Sequence, residues 1–259
     1  MTAGSPAAGH RGLLFGVPLE IAGPADLVAS LAAEPPYGWR APSRADIRPD
    51  QTWRLAPTPS GVEVWRGPSW LASWPADLLA PAVWADVVLW AAAHTPRWVV
   101  VHAGVIGWRG RGLLLPGRSG AGKSTLVAAL VALGADYYSD EYALLAADGR
   151  ASAYPRPIAT PPECAQPRHG QPKPPTRRLD VNLIAALTYL PGAVTELSAL
   201  SPGAGALILL GNAVAARTRP RAVLGAVTAA ATRAQGVRGN RGEATEAATQ
   251  LVARLDGGS

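Results

Sequence analysis

Residues 117–124 read GRSGAGKS, a glycine-rich stretch set between the apolar run GLLLP at 112–116 and a second apolar run over 123–133. No other feature restricts the fold as much. Glycines at these spacings let the backbone curl until successive N–H groups face one point, and that array attracts anions. A helix starting at Lys123 would direct its positive end at the same point. The stretch fits G-x-x-x-x-G-K-[ST] in full, which predicts that Lys123 bridges the β- and γ-phosphates of a nucleotide and that the Ser124 hydroxyl holds Mg2+. The expected nucleotide-binding set is therefore Gly117, Arg118, Ser119, Gly120, Ala121, Gly122, Lys123, Ser124 and Thr125, with ATP and Mg2+ as ligands.

The flanking sequence has the required pattern. WVVVHAGVI at 98–106 is β-branched and reads as a strand, Arg109-Gly110 as a turn, and 112–116 as a second buried strand. A helix over 123–133 ends at Gly134, and 135–139 reads as a further strand. Strand, glycine loop, helix and strand form a βαβ unit, which implies an α/β fold with a parallel or mixed sheet. Asp140 and Glu141 follow that last strand, where a second carboxylate near the metal belongs. One acid can hold the metal while the other accepts a proton from an attacking hydroxyl. His102 interrupts the strand ahead of the loop strand, and its residue type suits either a core position or a place near the phosphates.

Composition excludes several classes. At 48% hydrophobic the chain is too apolar to be disordered as a whole, and a single cysteine, Cys164, rules out an internal disulfide framework. The start does not resemble a signal peptide, and the apolar stretch 80–105 is broken by Asp86, His94, Pro96 and Arg97, so no membrane span and a cytoplasmic protein are expected. The net charge of +6 comes from dispersed arginines without a nucleic-acid motif, which argues against nucleic acid as a partner. Only Lys123 and Lys173 are lysines among 24 basic residues, a skew that reads as a composition bias of the source genome.

Three regions are expected. Residues 1–11 form a tail. Residues 12–96 form a β-rich, Trp-rich part: a strand with a turn over 13–21, a helix to Ala33, a hairpin around 58–61 and a helix over 75–93. Residues 97–259 form the core, with a proline-rich loop over 154–178 and a helical C-terminal part, its helices at 202–211, 220–234 and 245–255. Residues 181–189 read as a strand or a short helix.

The segment VHAGVIGWRGRGLLLPGRSGAGKSTLVAALVALGADYYSDEYALL resembles the catalytic core of the HPr kinase/phosphorylases and their relatives, over about residues 98–160. Tyr154-Pro155-Arg156-Pro157 is similar to a feature of the related branch that accompanies peptide-modifying gene clusters, including lasso-peptide kinases. The resemblance implies a P-loop core of HPr-kinase type and phosphoryl transfer to a hydroxyl, with serine of a peptide or small protein as acceptor. It implies Asp140 as general base, Glu141 as the acid that positions the metal and His102 as a residue near the phosphates. Arg156 is expected to neutralise the transferring phosphoryl, and self-association into a homo-oligomer is also implied. Two departures stand out. The family's second acid is commonly Asp where this chain has Glu141, and the glycine-rich signature that follows the acids in HPr kinases is absent, which points away from HPr as acceptor. An ATP-binding regulatory or scaffold protein without phosphotransfer is the alternative.

Overall fold

Buried and half-buried residues alternate along 17–21 and 61–65, the period expected of strands with one more deeply covered face. In the computed structural model, which describes residues 7–42, 48–117, 120–154 and 175–257, these strands belong to the first of two compact units, Met1–Arg97 and Trp98–Ser259.

In the first unit β1 (Ala7–Leu14), β2 (Val17–Pro24), β3 (Gln51–Thr58), β4 (Gly61–Arg66) and β5 (Ser69–Trp74) form a sheet in that order. Only β2 and β3 are parallel, joined through helix α1 (Ala25–Ala33), because a parallel pair needs a crossover. The tail expected over residues 1–11 is corrected from Ala7 onward. β1 pairs with β2 along its whole length, from Ala7 opposite Pro24 to Leu14 opposite Val17. Small residues gave no strand signal there, and the backbone ladder supplies the order. Helix α2 (Ala76–His94) is long and apolar enough by composition to cross a membrane. Here its Leu79, Val83, Trp84 and Val87 are buried in one core with Leu19, Ile21, Leu31 and Trp53.

The second unit is α/β with a mixed sheet. Its strands are β6 (Val99–Trp108), β7 (Arg111–Pro116), β8 (Asp136–Ser139), β9 (Tyr142–Leu145), β10 (Ala151–Ser152), β11 (Asp180–Tyr189), β12 (Glu196–Leu200) and β13 (Gln235–Arg241). The order is β10-β9-β6-β7-β11-β13-β12, with β8 also on β6. β7, β11 and β13 run parallel, so their C-terminal ends reach the same edge of the sheet. Helices α3 (Lys123–Ala132) and α6 (Ala244–Gly257) cover one face through Leu126, Val127, Leu130, Leu251 and Leu255. Helices α4 (Pro202–Gly211) and α5 (Pro220–Arg233) cover the other through Leu209, Val223, Ala226 and Val227. Covered on both faces, the central strands are buried almost throughout, as their unbroken apolar runs require. The expected helical C-terminal part is corrected: its three helices are present, but β12 precedes α4 and β13 lies between α5 and α6, while residues 181–189, read as a strand or a short helix, are strand β11.

Candidate functional site

The glycine-rich loop leaves the C-terminal end of β7 and runs into α3. Gly117 is tied backward, its N–H donating to the His102 carbonyl at 3.2 Å. The Lys123 ammonium folds over the loop and donates to the Gly117 carbonyl at 2.8 Å. The loop is thus closed on itself by the side chain of its own lysine. Gly122 caps α3 with φ 73°, in the left-handed region, and its carbonyl receives the Leu126 N–H at 3.2 Å. Ala121 lies beside Gly117, and Gly120 is exposed. Ser124 and Thr125 occupy the first turn of α3 and are half-buried. Arg118 and Ser119 lie outside the described residues.

Strand register brings the acidic pair to the same level. β6 pairs with β7 through Ala103 opposite Pro116, and with β8 and β9 through Val105 opposite Ser139 and His102 opposite Tyr142. The Ala103 N–H donates to the Glu141 carbonyl at 3.0 Å. The loop entrance and the Asp140-Glu141 pair therefore flank His102-Ala103 from opposite edges of one strand, two strand spacings or about 10 Å apart. A hydroxyl makes the bend that carries the acids: Ser139 Oγ, fully buried, accepts the N–H groups of Glu141 at 3.2 Å and Tyr142 at 3.0 Å. Asp140 is only 2% exposed and accepts the Tyr137 hydroxyl at 3.0 Å, on the face of the sheet that α3 covers. Glu141 is half-buried.

His102 stands between the two halves. Its ring lies 4.9 Å from that of Tyr142. Burial, and then the positive charge of Lys123, push the imidazole below its ordinary value of 6.5, so it is neutral at pH 7. A neutral imidazole can accept or donate a hydrogen bond beside an anion without adding charge. Next to it, the segment after α4 extends the sheet where β7 has ended: the Asn212 carbonyl accepts the His102 N–H at 2.8 Å.

The ends of the proline-rich stretch converge on β8. The Tyr154 N–H donates to the Tyr138 carbonyl at 2.9 Å, and the Tyr138 hydroxyl donates to the Arg177 carbonyl at 3.1 Å. Residues 155–174, with Arg156 and Lys173, lie outside the described residues.

Sequence reasoning missed Arg241. It ends β13, is 3% exposed, and donates from Nη2 to the Gly122 carbonyl at 2.8 Å and from Nη1 to the Gly242 carbonyl at 3.0 Å. With Ala185 and Leu187 of β11 it lines a cavity of about 10 Å3 under the loop, about the space of one water. No motif marks it, because its neighbour in space is 119 residues away in the chain.

No protein-family model matches the sequence, and no curated protein matches it either.

Proposed function

We propose that the chain binds ATP with Mg2+ at the glycine-rich loop and transfers the γ-phosphoryl to a serine hydroxyl of a peptide or small protein, in the manner of HPr-kinase-like P-loop enzymes. The observation that carries this is the register across β6, which sets the loop entrance and the acidic pair on either side of His102-Ala103. Phosphoryl transfer needs a phosphate cradle and a proton acceptor on one edge of a sheet, and the ends of parallel strands are where such ligands bind.

In the proposal the loop amides and Lys123 hold the phosphates, and Lys123 exchanges its bond to the Gly117 carbonyl for phosphate oxygens. Asp140 accepts the hydroxyl proton of the acceptor, and the Tyr137 hydroxyl fixes the orientation of that carboxylate. His102 stays neutral and leaves the positive field to Lys123. Arg156, two residues beyond Tyr154, neutralises the transferring group. The donor set fits Mg2+: the Ser124 hydroxyl, Asp140 and Glu141 offer hard oxygens. Among the described residues no group of three or more His, Cys, Asp or Glu is gathered to hold a metal alone, so the ion would complete its shell from nucleotide oxygens and water. Bound there, it would supply charge neutralisation at the phosphates.

The test is incubation of the full chain with γ-labelled ATP, Mg2+ and serine-containing peptides. Wild type should label serine. Asp140→Asn should lose about 10^3-fold or more in transfer while binding ATP within about threefold of wild type. Full transfer by that variant would remove Asp140 as base. ATP binding by wild type without transfer to any acceptor would leave the regulatory or scaffold reading in its place.

A further inference from the structure

We propose that Arg241 is a positioning residue for phosphate binding: a buried guanidinium that fixes the Gly122 carbonyl and adds a second positive charge behind Lys123. The proposal rests on the nucleotide-binding reading above and goes beyond the motif, since Arg241 is no part of it.

β13 delivers this side chain. Its parallel pairing with β11 sets Arg241 opposite Tyr189, so both strands end beside the loop. The guanidinium lies over the Tyr189 ring, 4.9 Å from its centroid. It also occupies the space that a Cβ on Gly122 would fill. Gly122 therefore has two reasons to be glycine: its left-handed backbone and the arginine against it. The carbonyl that Arg241 holds is the one that accepts the first helical N–H, from Leu126. Fixing that carbonyl fixes the direction in which the loop turns into α3, and with it the aim of the amides at the helix start.

Charge makes the second half of the case. A guanidinium this deeply buried costs free energy unless an anion compensates it. Arg241 instead donates to two backbone carbonyls, and among the described residues no carboxylate forms an ion pair with it. Burial pushes its ionisation downward, with Tyr189 and Glu243 acting in the opposite sense. Desolvation outweighs both, so the charge is only partly compensated within the chain, and at the loop it adds to Lys123 and to the helix end. A phosphate chain is the ligand that offsets all three. Arginine suits the place because its planar fork satisfies two carbonyls at once and keeps its charge when buried.

Two variants of the full chain separate charge from hydrogen bonding, with ATP and inorganic tripolyphosphate as probes in calorimetric titrations. Arg241→Gln keeps a donor for Gly122 and loses the charge; Arg241→Lys keeps the charge. Arg241→Gln should bind both probes at least tenfold more weakly, with a shallower salt dependence. It should raise the KM for ATP far more than it lowers kcat. Arg241→Lys, which keeps a cation but loses the planar fork, should bind both probes more weakly than wild type yet at least about threefold more tightly than Arg241→Gln. Equal affinities in the two variants, or wild-type affinity in Arg241→Gln, overturn the proposal while leaving nucleotide binding intact. If wild type binds neither probe, both the proposal and the reading beneath it fall. Should neither variant fold, hydrogen exchange on wild type decides: ATP should protect the Arg241 and Gly242 amides together with those of Gly122 and Lys123, and protection of the loop alone overturns the role of Arg241.

Discussion

The two units use their largest side chains in opposite ways. The first is built around indoles whose polar ends need partners. Trp53 is fully buried and donates to Asp86 at 2.7 Å, while Arg66 holds the same carboxylate at 2.9 Å. Trp84 donates to the Leu31 carbonyl at 3.2 Å and meets Trp39 edge-on, which in turn stacks on His10. The second unit buries no tryptophan among its described residues. Its interior is mostly Val, Leu, Ile and Ala, and its buried aromatic side chains among the described residues are the smaller tyrosines Tyr137, Tyr138, Tyr142 and Tyr154, grouped around β8 and β9 beside the acidic pair. The difference teaches that indole N–H groups inside a core demand specific acceptors, whereas an aliphatic core leaves the polar residues free for the rim where ligands bind.

The largest effect that would break this contrast is at Trp53. Trp53→Ala should cost about 3–5 kcal/mol in urea unfolding, because a cavity opens and Asp86 loses its indole donor. A loss under about 1 kcal/mol would show that the polar anchor matters little. In the second unit the matching contact belongs to the site. Tyr137→Phe removes the donor to buried Asp140 and should cost about 1–3 kcal/mol. Phosphoryl transfer, measured on the same variant, should slow with ATP affinity unchanged; unaltered transfer would reduce Tyr137 to a packing role.

Acid should act on both units, since among the described residues each holds one histidine displaced in the same direction. Burial lowers His10, and burial followed by Lys123 lowers His102, both below the ordinary 6.5. The unfolded chain then binds protons that the folded chain refuses. Stability from these groups is complete above about pH 6.5 and is lost as pH falls through the lowered values. His10→Gln and His102→Gln should each flatten the slope of stability against pH below 6.5. ATP should raise the His102 value alone, measured by its ring resonances, because phosphate offsets the field of Lys123. The smallest effect belongs to the exposed pair Arg109–Asp256: Arg109→Ala should change unfolding free energy by no more than about 0.5 kcal/mol.

Much of the second unit was legible because its strands carry one strong signal. The β-branched run before the loop is β6, GLLLP is β7, and the loop and α3 follow where the glycines and apolar residues place them. β12 and β13 were not legible. QGVRGNR carries two glycines and two arginines and no run of β-branched residues, yet Gly236 and Gly239 are there because β12 lies too close for a side chain, against Leu200 and the Glu196 carbonyl. Gly104 follows the same logic on β6, where a Cβ would come within 2.8 Å of Val127 on α3. The hairpin turns Phe15-Gly16 and Arg109-Gly110 place a non-glycine residue at φ 52° and 49°, so only the second residue of each announced the turn.

By itself the sequence determined the place of the glycine-rich loop, the helix after it, the acids beyond the next strand and the α/β class, because each depends on residues near one another in the chain. The tertiary structure alone decided that the acids face the loop across β6, that Tyr137 holds Asp140, and that Arg241 stands behind Gly122. Those pairings are set by strand order and register, and register is fixed by which faces of the whole sheet are buried rather than by any short run of residues.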